Sequence, residues 1–102
     1  RPVSYPANCN YTIIAVGAIE KTGSLAPYSN VGEKLDVVAP GSDILSTMPN
    51  NMTGEMDGTS MACPHVAGLA ALILERNPSL KVTEVNDLIE KNTNLLKRTR
   101  KR

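Results

Sequence analysis

Phenylalanine and tryptophan are absent from this chain, and tyrosine occurs only three times. Its interior must therefore be filled by Ile, Leu, Val, Ala and Met. Histidine occurs once, at His65, and cysteine twice, at Cys9 and Cys63. Two cysteines make no disulfide framework. Neither stands in metal-ligand spacing with His65, so no zinc site is read here. Spacing alone does not establish a Cys9–Cys63 bridge, and Cys63 reads as a small apolar filler. No apolar run approaches the roughly 20 residues of a membrane-spanning helix. The formal net charge of +1 argues for neither nucleic acid nor a membrane surface as partner. That charge is unevenly spread: Lys97, Arg98, Arg100, Lys101 and Arg102 crowd the C-terminus and leave the remainder acidic. No stretch reads as a signal peptide. The start at Arg1-Pro2, without Met, reads as a processed or excised segment. The length of 102 residues suits one small domain or a portion of a larger one.

What is present falls into short β-rich runs followed by two helices. Residues 1–10 are irregular, with Pro2, Pro6 and several turn formers; trans is the default at Tyr5-Pro6. Residues 11–19 are β-branched and nearly all apolar, the pattern of a strand buried on both faces in a parallel sheet. Gly17 within it marks a bend or a close backbone approach. Residues 20–32 are rich in Ser, Gly, Pro and Asn and read as loop. Residues 35–39 predict a second short strand, stopped by Pro40-Gly41. Residues 44–47 and 53–56 flank Pro49-Asn50-Asn51 as a hairpin leading into Gly58. Asn77-Pro78-Ser79 breaks the chain after the first helix. Thr83 reads as the N-cap of a second, amphipathic surface helix with Val85, Leu88 and Ile89 on one face.

The stretch that organises the chain is Gly58-Thr59-Ser60-Met61-Ala62-Cys63-Pro64-His65-Val66-Ala67-Gly68, running on to Leu74. It reads as a turn feeding a helix. Gly58 reaches backbone angles that other residues avoid. Thr59 and Ser60 are capping residue types, and Pro64 is tolerated near a helix start. From Val66 to Leu74 every residue is apolar or glycine, which predicts a buried helix. Gly68 predicts close packing of another backbone. The helix start presents unpaired N–H groups and a partial positive charge, both favourable to an oxyanion beside Ser60. Two readings of Ser60 stand side by side: a helix cap, or a nucleophile.

Gly58-Thr59-Ser60-Met61-Ala62, followed by Pro64-His65-Val66-Ala67-Gly68, resembles the nucleophile motif of the subtilisin-like serine proteases, the subtilases. The resemblance extends over residues 5–93, through Tyr28-Ser29-Asn30-Val31-Gly32, Leu35-Asp36-Val37-Val38-Ala39-Pro40-Gly41 and Ile44-Leu45-Ser46-Thr47-Met48-Pro49. It implies an α/β fold: a mostly parallel central sheet, a buried central helix starting at the nucleophile, and a surface helix after it. It implies a serine-type endopeptidase acting on polypeptides, outside the cytoplasm, with Ser60 as nucleophile and Gly58, Thr59 and Met61 as the surrounding motif. Residues 1–93 would be the C-terminal portion of such a domain; the block of charge in residues 94–102 predicts a solvated, disordered basic tail. The tail's other readings are a cleavage site for a protease that prefers paired basic residues, or a contact for an anionic partner. No cofactor is evident; calcium is implied by the resemblance alone, and no loop of clustered carboxylates appears.

The family's catalytic Asp, catalytic His and oxyanion Asn have no matching motif in this chain; they would come from the remaining N-terminal half. His65 lies within the serine motif itself. Residues three or four apart face each other on a helix and five apart do not, so His65 reads as structural rather than as the base for Ser60. Asp57 reads as a turn or cap residue. The isolated chain is expected to be inactive. The rival reading is a catalytically incomplete remnant or interaction module. Asn10-Tyr11-Thr12 and Asn51-Met52-Thr53 fit the glycosylation acceptor pattern, with only Asn51 sterically credible.

Overall fold

The computed structural model describes residues 2–3, 5–9, 14–32 and 35–91. Strand β1 spans Val16–Ile19 and strand β2 spans Val37–Pro40. They pair in parallel, from Val16↔Val37 to Ile19↔Pro40. Both are shorter than the apolar runs that announce them. β2 also ends one residue later than expected, on Pro40. The reason is alternation: the N–H groups of Val37 and Gly41 bond to Ala15 O and Ile19 O on the β1 side, at 3.2 and 3.0 Å. Pro40 falls between them in that alternation, so its missing donor faces away from the ladder.

The long connection between the strands folds back along the other edge of β1. Ala26 N–H bonds to Ala18 O at 2.9 Å, and Ala18 N–H bonds to Ser29 Oγ at 3.0 Å. Ser29 is buried, and it donates onward to Asn30 O. A carboxylate serves in the same way just before β1, where Asp36 Oδ2 accepts from Ala15 N–H at 2.8 Å. Gly17 meets the close approach expected of it: a Cβ there would sit 2.9 Å from Leu35 Cδ2. Tyr5-Pro6 is cis rather than trans, a preference small enough for the surrounding structure to override.

Strands β3 (Ile44–Met48) and β4 (Met52–Met56) form the expected antiparallel hairpin, with Met48 opposite Met52. Asn50 and Asn51 turn the chain with φ of 66° and 59°, a conformation that Asn tolerates better than most residues. Helix α1 follows at Thr59–Arg76 and helix α2 at Val82–Lys91. The start of α2 corrects the expected cap. Thr83 lies inside the helix, and the side chain that closes the first turn is Glu84, whose Oε1 accepts from Lys81 N–H at 2.8 Å. This is the acidic half of a capping box.

The core is aliphatic, as the missing aromatics require. Ala18, Ala26, Ala39 and Ala62 form one cluster, where α1 begins against the sheet. Val37, Val85 and Ile89 form a second, joining α2 to the sheet with Ala70 and Ile73 of α1 against them. Val3, Ala15 and Leu35 form a third. Most of α1 nevertheless stands open. Ala62 is its only buried residue, and Leu69, Leu72 and Leu74 are 45%, 62% and 39% exposed. Cys63, read as filler, is exposed, and both cysteines are free thiols. A Cβ on Gly68 would meet nothing within 4 Å. The cause is geometric: among the described residues a two-stranded sheet and one helix stand against α1, and they cover one side of it.

An uncovered apolar helix face predicts that the isolated chain self-associates. Replacing Leu69 and Leu72 together by Lys should shift its sedimentation toward monomer while helical circular dichroism is kept. Undiminished association of that variant would place the sticky surface elsewhere.

Candidate active site

Ser60 is the second residue of the 18-residue helix α1, and it is exposed. The position before the helix is held by Gly58, and no side chain caps the helix start. This corrects the capping expectation for both Thr59 and Ser60. A cap must stand outside the helix to reach back to its free donors, whereas these two residues are already inside it. Among the described residues, nothing hydrogen-bonds to the Ser60 hydroxyl. Met61 N–H bonds to Gly58 O at 3.0 Å, while the N–H groups of Thr59 and Ser60 precede the first possible intrahelical acceptor. A hydroxyl and two free donors therefore share the positive end of one helix.

Pro64 lies deeper in the helix than a harmless first-turn proline would. It supplies no N–H to the carbonyl four residues back, so the Ser60 carbonyl lacks its usual partner. The loss is confined to the turn that carries Ser60. His65 is tied down on the same helix: its Nδ1 lies 2.9 Å from Met61 O. A carbonyl only accepts, so Nδ1 carries the proton in this contact. That anchors the ring to its own helix, in keeping with the structural reading. The Met61 side chain lies back over the turn, with Sδ 3.5 Å from where a Cβ on Gly58 would stand. Met61 is half-buried, whereas Met48, Met52 and Met56 are 38%, 61% and 46% exposed.

The helix start is fixed in place by the turn before β3. Gly58 N–H bonds to Gly41 O at 2.8 Å. Gly41 leaves no room for a side chain, because a Cβ there would stand 2.6 Å from Ala18 Cβ and 2.8 Å from Gly58 O. Gly58 has φ of 152°, a region in which a side chain is strained. Beside this contact, Asp57 Oδ1 accepts from Asp43 N–H at 2.7 Å, and Tyr28 Oη shares a 2.7 Å hydrogen bond with Ser42 Oγ. Asp57 thus acts as the turn residue that the sequence implied.

Among the described residues, no three His, Cys, Asp or Glu side chains gather to hold a metal ion. None of the described helices is long and apolar enough to cross a membrane. The basic tail, Asn10 and residues 11–13 of the apolar run lie outside the described residues.

The model of the Subtilase family matches residues 1–101. The chain belongs to the subtilase family. It is 50% identical over 88 residues to Subtilisin NAT of Bacillus subtilis subsp. natto, a match covering 86% of this chain and 23% of that protein. It is 47% identical over 94 residues to Subtilisin DY of Bacillus licheniformis, covering 91% and 34% respectively. Among solved structures, a protease of Pseudoalteromonas arctica PAMC 21717 superposes with a TM-score of 0.86 at 34% identity, over 90% of this chain and 32% of that one. A cold adapted subtilisin-like serine proteinase gives 0.84 at 35% identity, over 92% and 36%. This subtilase chain thus spans about a third or less of those relatives, and its α/β arrangement is a portion of their fold.

The sequence of this subtilase chain announced Gly58 and Ser60 but gave little warning of Gly41, Asp43, Tyr28 and Ser42 around them. Pro40-Gly41 read only as a strand stop. Its second role, admitting Gly58 to close contact, depends on a neighbour seventeen positions away. The site predicts that Gly41→Ala and Gly58→Ala each destabilise the fold by at least about 1 kcal/mol, the first through overlap and the second through backbone strain. Thermal melts of the two variants measure this, and an unchanged midpoint for Gly41→Ala would refute the close approach.

Proposed function

We propose that this subtilase chain is the nucleophile-bearing portion of a serine endopeptidase. The observation that carries the reading is the placement of Ser60: exposed, uncapped, and inside the first turn of a helix whose free N–H groups lie beside it. In this reading Ser60 Oγ attacks the carbonyl carbon of a peptide bond, and its proton passes to a histidine base as the C–O bond forms. The resulting oxyanion is held by the Ser60 N–H, supported by the dipole of α1. Gly58 and Thr59 shape the approach to Ser60, and Met61 lies beside the reacting atoms. The histidine and the aspartate that orients it would be supplied by sequence outside this chain, as would an oxyanion Asn. The substrate is a polypeptide, and the working place is outside the cytoplasm, as the resemblance implies. A relative in Bacillus subtilis is nevertheless described as a major intracellular serine protease, so the location is to be tested by fractionation.

A fluorophosphonate probe tests the reading directly. An activated serine is phosphonylated and an inert one is not, so the full-length protein should be labelled at Ser60. Ser60→Ala should abolish peptide hydrolysis with the fold intact. Removing a triad nucleophile costs about 10⁶-fold in subtilisin, whereas no cap is lost here. Near-normal turnover by a folded Ser60→Ala variant would exclude the assignment. The isolated 102-residue chain should hydrolyse nothing, because its one histidine is anchored to Met61 O. Activity of that chain lost in Ser60→Ala but kept in His65→Ala would reveal another base within it.

Peroxide should lower turnover of the full-length enzyme through Met61. The sulfoxide adds a polar oxygen next to the reacting group, where small displacements are costly. A Met61→Ala variant should lose much less activity under the same treatment. Equal losses would move the damage to another residue, the more exposed Met48, Met52 and Met56 included.

A further inference from the structure

We propose that Asp57 is a positioning residue for Ser60: its carboxylate holds an offset in the β3–β4 hairpin that aims the chain into α1. The inference rests on the reading of Ser60 as a nucleophile. The ladder register that pairs Ile44 with Met56 would set Gly58 opposite Ser42. Gly58 N–H instead reaches Gly41 O, one residue out of step. The extra residue is taken up where Asp43 adopts φ of 56°. One surplus residue in one strand of an antiparallel pair is the geometry of a β-bulge, which bends its strand and re-aims the chain beyond it. The backbone N–H of a bulged residue is left off the ladder and needs an acceptor. Asp57 Oδ1 supplies it at 2.7 Å.

The carboxylate thereby stands in for a backbone carbonyl. Asp57 stands just outside β4 and leads directly into Gly58, and Ser60 comes two residues after Gly58. Asp43 and Asp57 are both exposed, so water can replace the lost acceptor at small cost in stability. The direction of the segment from Asp57 to Ser60 rests on this bond and on the Gly58–Gly41 rung together, and a water in the carboxylate's place does not restore the first of them. Removing the carboxylate should therefore affect the reaction more than the fold, a separation that a purely stabilising residue would not produce.

The test uses Asp57→Ala and Asp57→Asn in the full-length protein, with kcat and KM measured on a peptide p-nitroanilide and a thermal melt of each. Asp57→Ala should lose roughly tenfold in kcat with little change in KM, the scale of a small misplacement of reacting groups, while its melting midpoint stays close to the parent's. Asp57→Asn keeps an Oδ1 acceptor at the same place and should recover parental kcat. Parental kcat in Asp57→Ala, or an Asn variant no better than the Ala variant, would overturn the proposal. Should the parent neither hydrolyse the peptide nor take a fluorophosphonate label at Ser60, the protease reading fails on its own. Amide hydrogen exchange at Asp43 then decides about the clamp: faster in Asp57→Ala and parental in Asp57→Asn if it holds, equal in all three if it does not.

Discussion

The contact between Gly58 and Gly41 governs this structure. The N–H of Gly58 meets the carbonyl of Gly41 at 2.8 Å; Gly41 has no room for a side chain, and Gly58 has a backbone angle that strains one. That single rung ties the end of β4 to the turn after β2. It also presses the start of α1 onto Ala18 and Ala39, where Ala62 completes a cluster of small residues. Alanines suit this place because larger side chains would hold the helix start away from the sheet. The close approach and the small core are one constraint seen from two sides.

Beyond its first turn, α1 is governed by its neighbours. Val66, Ala70 and Ile73 lean on β2 and α2, while Leu69 and Leu72 face outward. Apolar side chains gain stability only when neighbours remove them from water, so their placement along α1 stabilises this chain less than their number suggests. The same residues make the helix suited to the interior of a larger α/β domain, in line with a chain that spans about a third or less of its subtilase relatives.

The features on which the proposed chemistry rests lie at the positive end of that helix. Uncapped N–H groups, a serine hydroxyl with no hydrogen-bond partner among the described residues and a proline that interrupts the bonding of the Ser60 carbonyl all fall within two turns. In most helices such features would be removed by a capping side chain, which satisfies the same donors and stabilises the fold. Here the donors are left open. His65, anchored through Nδ1 to Met61 O, helps to close the turn rather than to activate the serine.

Much was legible in the sequence alone. The family was legible through the resemblance of the motif from Gly58 to Gly68; the β-branched runs, the hairpin around Pro49-Asn50-Asn51 and the helix after Gly58 follow from local composition. Local physics fixes these features, because turn residues, apolar periodicity and glycine act on their immediate neighbours. Other features waited for the tertiary structure. Gly58 rather than Thr59 or Ser60 precedes α1, and Glu84 rather than Thr83 closes the start of α2. A shift of one or two residues decides which side chain can reach a free N–H. The exposure of Leu69, Leu72 and Cys63, and the open space beside Gly68, depend on which surfaces are covered, and an apolar run does not carry that information. The Asp43–Asp57 hydrogen bond and the Gly41–Gly58 contact join residues far apart in the chain. Sequence determined what each segment could form; only packing decided which groups met, because contact is a property of pairs and not of single positions.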